Sequence, residues 1–288
     1  VIYEGEEEVN DTNKDTAQET RNQFVWVPVE NPSEMYGTDE NGKKWGKLYN
    51  FSSSGIIPLN WTEKNTVMTI TNDTNYREPD VVTDYDVEND KLQQAGLDST
   101  ADVNTFKTQL EAEFNNMVAS ITKYNGFYIG RYETGNLSQT EAAVVKNNTD
   151  INNQTWYTMY NKAKGIAANS NAITSMIWGC QWDAVMRWMW NQGGEKKIYT
   201  YNSIEKGNYE ANSTIATGTN INYKINNIYD MAGNVHERTI ETLNNGVRVL
   251  RGGDYSNSAS SVTVSSRGGN SPTTIIDRFG FRTVLYID

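Results

Sequence analysis

Cys180 and His236 are the one cysteine and the one histidine among 288 residues, and they set narrow limits on chemistry. A nucleophilic thiolate needs exposure and a depressed pKa. Cys180 instead lies between Trp178 and Trp182 in an apolar, helix-like run, which marks it as a packing residue. A lone cysteine closes no intrachain disulfide, so an oxidising compartment is neither required nor ruled out. One histidine cannot by itself supply the imidazole cluster of a transition-metal centre. The 36 Asp and Glu are plentiful, but acid–base work needs carboxylates converging in a cleft, and abundance does not show convergence. They read mostly as solvated faces. What the chain does offer is binding chemistry. Its last third, residues 226–288, mixes Arg, Tyr, Asn, Asp and Ser, the residue types from which adaptable recognition surfaces are made.

Those side chains need a frame. Three short segments, Asn227–Tyr229, Val247–Leu250 and Thr283–Ile287, are rich in β-branched and aromatic residues and read as strands. Gly252-Gly253 directly after the second predicts a bulge or tight bend. Upstream, Val1–Gln23 carries an acidic triplet and little apolar periodicity, and reads as a polar tail or stalk. Phe24–Val29 reads as a first or edge strand ending at Pro28. Glu30–Asp98 is polar and rich in turns, with Asn41-Gly42 as a turn signal and Trp45, Tyr49, Phe51 and Trp61 as anchors. It reads as an insertion with hidden helix or strand. Ser99–Lys123 predicts a helix, with Ser99 and Asp102 at capping-box spacing. Val103, Phe106, Leu110, Phe114, Met117, Val118 and Ile121 recur on its apolar face. Asn125-Gly126 ends it and Phe127–Tyr132 begins a strand. Trp156–Ala168 and Ser175–Asn191 predict two further helices, the second with a Trp/Met stripe that reads as core rather than ligand pocket.

Composition excludes several classes. A net charge of −11 and the absence of any basic run disfavour nucleic acid and anionic membranes. The longest apolar runs fall far short of the roughly 20 residues of a membrane helix, so the chain as given is expected to be soluble. It begins with Val1, which raises the expectation of a preceding leader or anchor. The 8 Trp, 17 Tyr and 7 Phe within a mean hydropathy of −0.69 predict an aromatic core beneath a polar, loop-rich surface.

Ordered motifs add a resemblance. FVWVPV at Phe24–Val29, GFYIGRYETG at Gly126–Gly135, WGCQWDAVMRW at Trp178–Trp188, NIYDMAGNVHE, VLRGGDYSNSAS, SSRGGNSP and GFR follow one another along residues 24–288. In this order they resemble the formylglycine-generating enzyme (sulfatase-modifying factor) family. The resemblance implies an α+β, C-type-lectin-like fold: one loop-rich domain with a small twisted antiparallel sheet and a few helices. It also implies enzyme chemistry that this chain lacks the residues to perform. The family's oxidases work through paired cysteines in the C-terminal module, and no Cys follows Cys180; related iron-dependent sulfoxide synthases need several His. Relatives hold calcium around the GNV-E turn, which maps a possible structural calcium site onto Asn234 and Glu237, where oxygen ligands would suit a hard cation.

A compositional gap points to a second resemblance. From Thr242 to Asp288 there is no Lys, Glu, Gln, Met or Trp, although the chain holds 8 Met and 8 Trp. The segment resembles the variable proteins of diversity-generating retroelements, which use the same lectin-like fold. Their adenine-directed variation of AAC or AAT codons never yields those five residues. The resemblance implies a framework of Arg251-Gly252-Gly253 and Gly280-Phe281-Arg282 carrying changeable ligand-binding residues. Candidates are His236, Arg238, Arg248, Asp254, Tyr255, Asn257, Asn270, Ile276, Asp277, Arg278 and Phe279. Where the family usually reads GNVWEW, this chain has His236 and Arg238 in place of two aromatics. Chains with these motifs also look like surface proteins of gut clostridia that begin with a pilin-like hydrophobic helix. The expected function is therefore non-catalytic binding of an extracellular protein or glycan at the cell surface. The alternatives are a pilin-like structural subunit and a formylglycine-generating-type oxidase relative.

Overall fold

The computed structural model describes residues 1–5, 7–64, 67–71, 76–80, 89–136, 141–149, 151–166, 172–243 and 247–287. In chain order its principal strands are β1 (Ile2–Tyr3), β2 (Gln23–Pro28), β3 (Tyr76–Arg77), β4 (Gly126–Gly130), β5 (Ala172–Met176), β6 (His236–Leu243), β7 (Arg248–Arg251), β8 (Gly268–Asn270), β9 (Phe279–Phe281) and β10 (Thr283–Ile287). The helices are α1 (Lys14–Thr20), α2 (Asn89–Gln94), α3 (Val103–Tyr124), α4 (Trp156–Lys164), α5 (Gly179–Asn191) and α6 (Gly194–Tyr199).

One antiparallel sheet has the order β1-β2-β4-β10-β5. The other has the order β8-β7-β6-β9, with β3 also on β6; β6 and β7 are antiparallel, β6 and β9 parallel. Only Arg282 separates β9 from β10, so the chain passes from one sheet to the other at that residue.

α3 closes one side of the core. Its predicted stripe is buried from Phe106 to Ile121, with Phe114 edge-on to Trp178 at 5.1 Å and Phe106 against Tyr160 at 5.7 Å. It begins at Val103 rather than Ser99, because Asp98 captures the backbone and hydroxyl of Thr100 in its own turn and Asp102 is the residue that caps the helix through Thr105 N. Asn125, left-handed at φ 58°, ends it as expected.

Ser175 and Met176, expected at the start of a helix, belong instead to β5. The β-branched Ile173 and Thr174 in Ala172–Met176 suit a strand paired along β10, and α5 starts only at Gly179. α4 ends at Lys164; the expected end at Ala168 lies outside the described residues, as does Asp288. Among the described residues, the expected Glu30–Asp98 insertion contains three antiparallel strand pairs, Tyr36–Thr38 with Lys44–Gly46, Tyr49–Ser52 with Gly55–Pro58, and Trp61–Lys64 with Val67–Ile70.

The N-terminal stretch is more structured than the polar tail read from its composition. Ile2 and Tyr3 extend the first sheet against Phe24 and Gln23, and the Arg21 guanidinium gathers the carbonyls of Glu4, Glu7 and Gly5. Composition hid this because the ties are a two-residue strand, an arginine fork and scattered bonds from α1, where only Ala17 is buried, to Lys146 and Asn147, rather than an apolar face.

Candidate functional site

The framework is made of buried arginines. Arg282 donates through Nε to both carboxylate oxygens of Glu237, at 3.0 and 3.1 Å, and through a terminal nitrogen to Oε1 at 2.5 Å. It also bonds the carbonyls of Gly130 at 3.0 Å and Tyr229 at 2.9 Å. One side chain thus joins β6, the end of β4 and the turn before Asp230. Burial works against its charge, but Glu237 outweighs that and raises its pKa.

A second cluster lies under α5. Asp183 accepts from Arg251 at 2.7 Å, from Arg267, and from the backbone of Tyr49 at 2.8 Å. Arg267 also reaches Glu241 at 2.9 Å and the Tyr49 carbonyl at 2.7 Å. Beside it, Glu78 accepts from the backbone N–H groups of Gly179 and Cys180 at 2.7 and 2.5 Å, capping the positive end of α5. Burial first, and then the nearby Glu241 carboxylate, pushes the Glu78 pKa up to about 8. Burial and Glu78 likewise raise the Cys180 thiol well above its ordinary range, so this buried cysteine is packing and not nucleophile.

The Glu78 shift has a measurable consequence. A carboxyl that titrates near 8 in the fold, against an ordinary 4.5, holds its proton more tightly when native. Its contribution is therefore complete below pH 4.5 and is lost as pH rises through about 8. The melting temperature is expected to fall between about pH 5 and pH 8.5, and the slope to flatten in Glu78→Gln. Thermal melts of both proteins across that range check this; equal slopes would remove Glu78 from the account.

On this frame the candidate residues separate into two groups. Arg238 is buried and holds the carbonyls of Ser271 and Thr274 at 3.3 and 2.7 Å, with its guanidinium 4.9 Å from the Phe279 ring. Arg248 is buried 3.9 Å over Trp156 and bonds the carbonyls of Asp80 and Ile240, both at 3.2 Å. Phe279 is buried in β9, and Asp254 is buried within its own turn, accepting from Ser256 N and Oγ at 2.8 and 2.7 Å. These four, expected at the ligand, are interior residues instead. Arg and Asp read as surface types by default, but here backbone carbonyls and turn donors engage them inside, although the buried Arg238 Nε lacks a partner among the described residues. Asn270 sits on β8, at the opposite edge of its sheet from β9.

The other candidates converge. His236 opens β6 with Nε2 3.5 Å from Asp254 Oδ2, and its backbone N–H bonds the Arg278 carbonyl at 2.9 Å. Burial, outweighing the attraction of Asp254, lowers the His236 pKa, so the ring is neutral at pH 7. Arg278, with its side chain 41% exposed, reaches Ser256 Oγ at 2.8 Å and faces Asp254 at 3.8 Å. Tyr255 and Asn257, both half-buried, are held by backbone bonds from Ala211 and Glu210 to their carbonyls, at 2.8 and 3.1 Å. Half-buried Ile276 and exposed Asp277 are steadied by Asn153 N and Asn152 Nδ2, at 3.3 and 2.9 Å to their carbonyls. Sequence reading missed Ser256, Asn152 and the Glu210-Ala211 strap. Ser256 lies inside the DYSNS motif, but nothing in sequence links the other two to this surface.

Asn234 and Glu237 are both buried and already engaged. The Asn234 amide oxygen accepts from Asn208 Nδ2 at 3.1 Å and Ile215 N at 2.9 Å, its nitrogen donates to Glu133 at 2.6 Å, and Glu237 holds Arg282. A hard cation would have to displace these donors. Among the described residues no group of three or more His, Cys, Asp or Glu side chains is placed to hold a metal ion.

The family described as sulfatase-modifying factor enzyme 1-like domain matches residues 165–287. The resemblance to formylglycine-generating enzymes expected from the motifs is borne out over that span, and there the α+β fold is C-type-lectin-like of that type. No curated protein sequence matches the chain. Solved structures similar to it include CarF, at 17% identity and TM-score 0.39 over 57% of this chain and 87% of that one. PvdO from Pseudomonas aeruginosa aligns at 16% identity and TM-score 0.39 over 57% and 81%. Treponema denticola variable protein 1 aligns at 19% and 0.24 over 54% of each chain.

Proposed function

We propose that this chain is a non-catalytic binding protein that presents a changeable C-terminal surface on a fixed lectin-like frame, displayed outside the cell toward a protein or glycan ligand. One observation carries the reading: the segment without Lys, Glu, Gln, Met or Trp divides into buried side chains that hold the sheets and partly exposed ones gathered on adjoining loops. Arg251, Arg267 and Arg282 belong to the first set. Tyr255, Ser256, Asn257, Asp277 and Arg278 belong to the second; backbone carbonyls of Tyr255, Asn257, Ile276 and Asp277 tie their loops down, while the side chains of Asn257 and Ser256 add bonds to Asp254 within the turn. Such a division lets side chains change while the fold stays. The enzyme alternative has little support, since formylglycine-type oxidation would need a second cysteine.

The test compares the codons for residues 226–288 with any near-copy beside a reverse transcriptase gene. Differences should fall at template adenines and concentrate on codons 255–257 and 277–278; differences indifferent to adenine would overturn the diversification. At the protein level, single substitutions at Tyr255 and Asp277, for which no side-chain hydrogen bond is seen among the described residues, are expected to move the melting temperature by about 2 °C or less, which calorimetry checks.

A further inference from the structure

α5 has two working faces. Trp182, Val185, Met186 and Met189 point into the core and are fully buried. Cys180, Ala184, Arg187, Trp188 and Asn191 follow one another at helical spacing on the other side, where they line a cleft of about 400 Å³. The facing wall is the exit of β2 and the turn after it, with Val29 and Met35 at the floor and Glu30 and Asn31 at the mouth. The volume lies in the range of small-molecule sites, but the lining is more polar than most: above the apolar floor it carries Glu30, Asn31, Glu34, Arg187, Asn191 and Gln192.

The charges at the mouth limit what can enter. Arg187 is 3.5 Å from Glu34 and stacked 4.1 Å over the Tyr49 ring, so the cation of the cleft is already committed. Glu30 is exposed beside it, which disfavours an anion. An external cation would compete with Arg187 for Glu34 and the Tyr49 face. A purely apolar ligand would leave the Glu30 carboxylate and the Asn191 amide desolvated, whereas Asn31 Oδ1 is already engaged by Ser33 N and Oγ. A neutral, polyhydroxylated ligand satisfies all of these: its C–H face packs on the half-buried Trp188 indole, while planar carboxylates and amides bond paired hydroxyls.

We propose that this cleft is a second binding site, separate from the C-terminal loop surface, and that it holds one neutral sugar residue of a glycan. The full chain is to be examined by saturation-transfer NMR with methyl glycosides of glucose, galactose, mannose, N-acetylglucosamine and fucose. At least one should bind, and Trp188→Ala and the exposed Asn191→Ala should each weaken it about tenfold or more, while Tyr255→Ala on the loop surface leaves it unchanged. Asn191→Ala keeps the test decisive if Trp188→Ala does not fold. No binding by any glycoside, binding indifferent to Asn191→Ala, or binding lost in Tyr255→Ala would each overturn the proposal. The last outcome would leave the C-terminal surface as the glycan site, so this inference can fail while the proposed function stands.

Discussion

Arg282→Ala is expected to destabilise the fold by about 3–5 kcal/mol, the cost of breaking a buried ion pair from one side. The side chain is fully buried, and so is its partner Glu237. Removing the guanidinium strands a carboxylate without its fork of donors and leaves the carbonyls of Gly130 and Tyr229 without theirs. Because Arg282 is the residue between β9 and β10, the loss falls on the junction of the two sheets. Arg282→Lys keeps the charge but cannot serve a carboxylate and two carbonyls in fixed directions, so it should recover only part of the loss. The double variant Arg282→Met, Glu237→Met should be more stable than Arg282→Ala, since no unpaired charge remains. Denaturant midpoints of these variants decide the matter. An Arg282→Ala protein within about 1 kcal/mol of the parent would mean that Glu237 is neutral in the fold and the pair is not ionic.

What the sequence disclosed follows the range of the interactions. α3 was legible because its apolar stripe and its cap are local, and Thr283–Ile287 because its strand residues are contiguous. Gly252-Gly253 announced a bend, and both residues have positive φ, 83° and 80°. The start of β5 was misread because Ser175 and Met176 look helical beside Trp178 and Trp182; pairing with β10, more than a hundred residues away, decides otherwise. The same limit explains the site. Arg238 and Arg248 look like recognition residues in a linear reading, and only the fold shows that they face carbonyls and aromatic rings. Glu78 was invisible for the opposite reason. It lies in a polar insertion where acids usually face water, and its role depends on the N-terminus of a helix that begins at Gly179.

Asp183→Ala is expected to match Arg282→Ala in severity, at about 3–5 kcal/mol, and to act closer to the proposed binding surface. Asp183 is the carboxylate between Arg251 and Arg267, and both guanidiniums are buried. Burial, then repulsion from Arg267, already lowers the Arg251 pKa to about 10, with Asp183 opposing the fall. Without it two cations face each other with Glu241 as the nearby carboxylate, and the Tyr49 backbone loses its acceptor. Asp183→Asn keeps the shape but turns an amide nitrogen toward an arginine, so it should recover little. The location of the damage is the sharper expectation. Arg251 leads directly into Gly252-Gly253 and the turn that carries Tyr255, Ser256 and Asn257, so losing its anchor should open that loop before the distant helix α3. In native-state hydrogen exchange, residues 252–257 of Asp183→Asn should lose protection while residues 106–121 keep theirs. Uniform loss across both would show that Asp183 supports the whole domain evenly and gives the 252–257 loop no separate support.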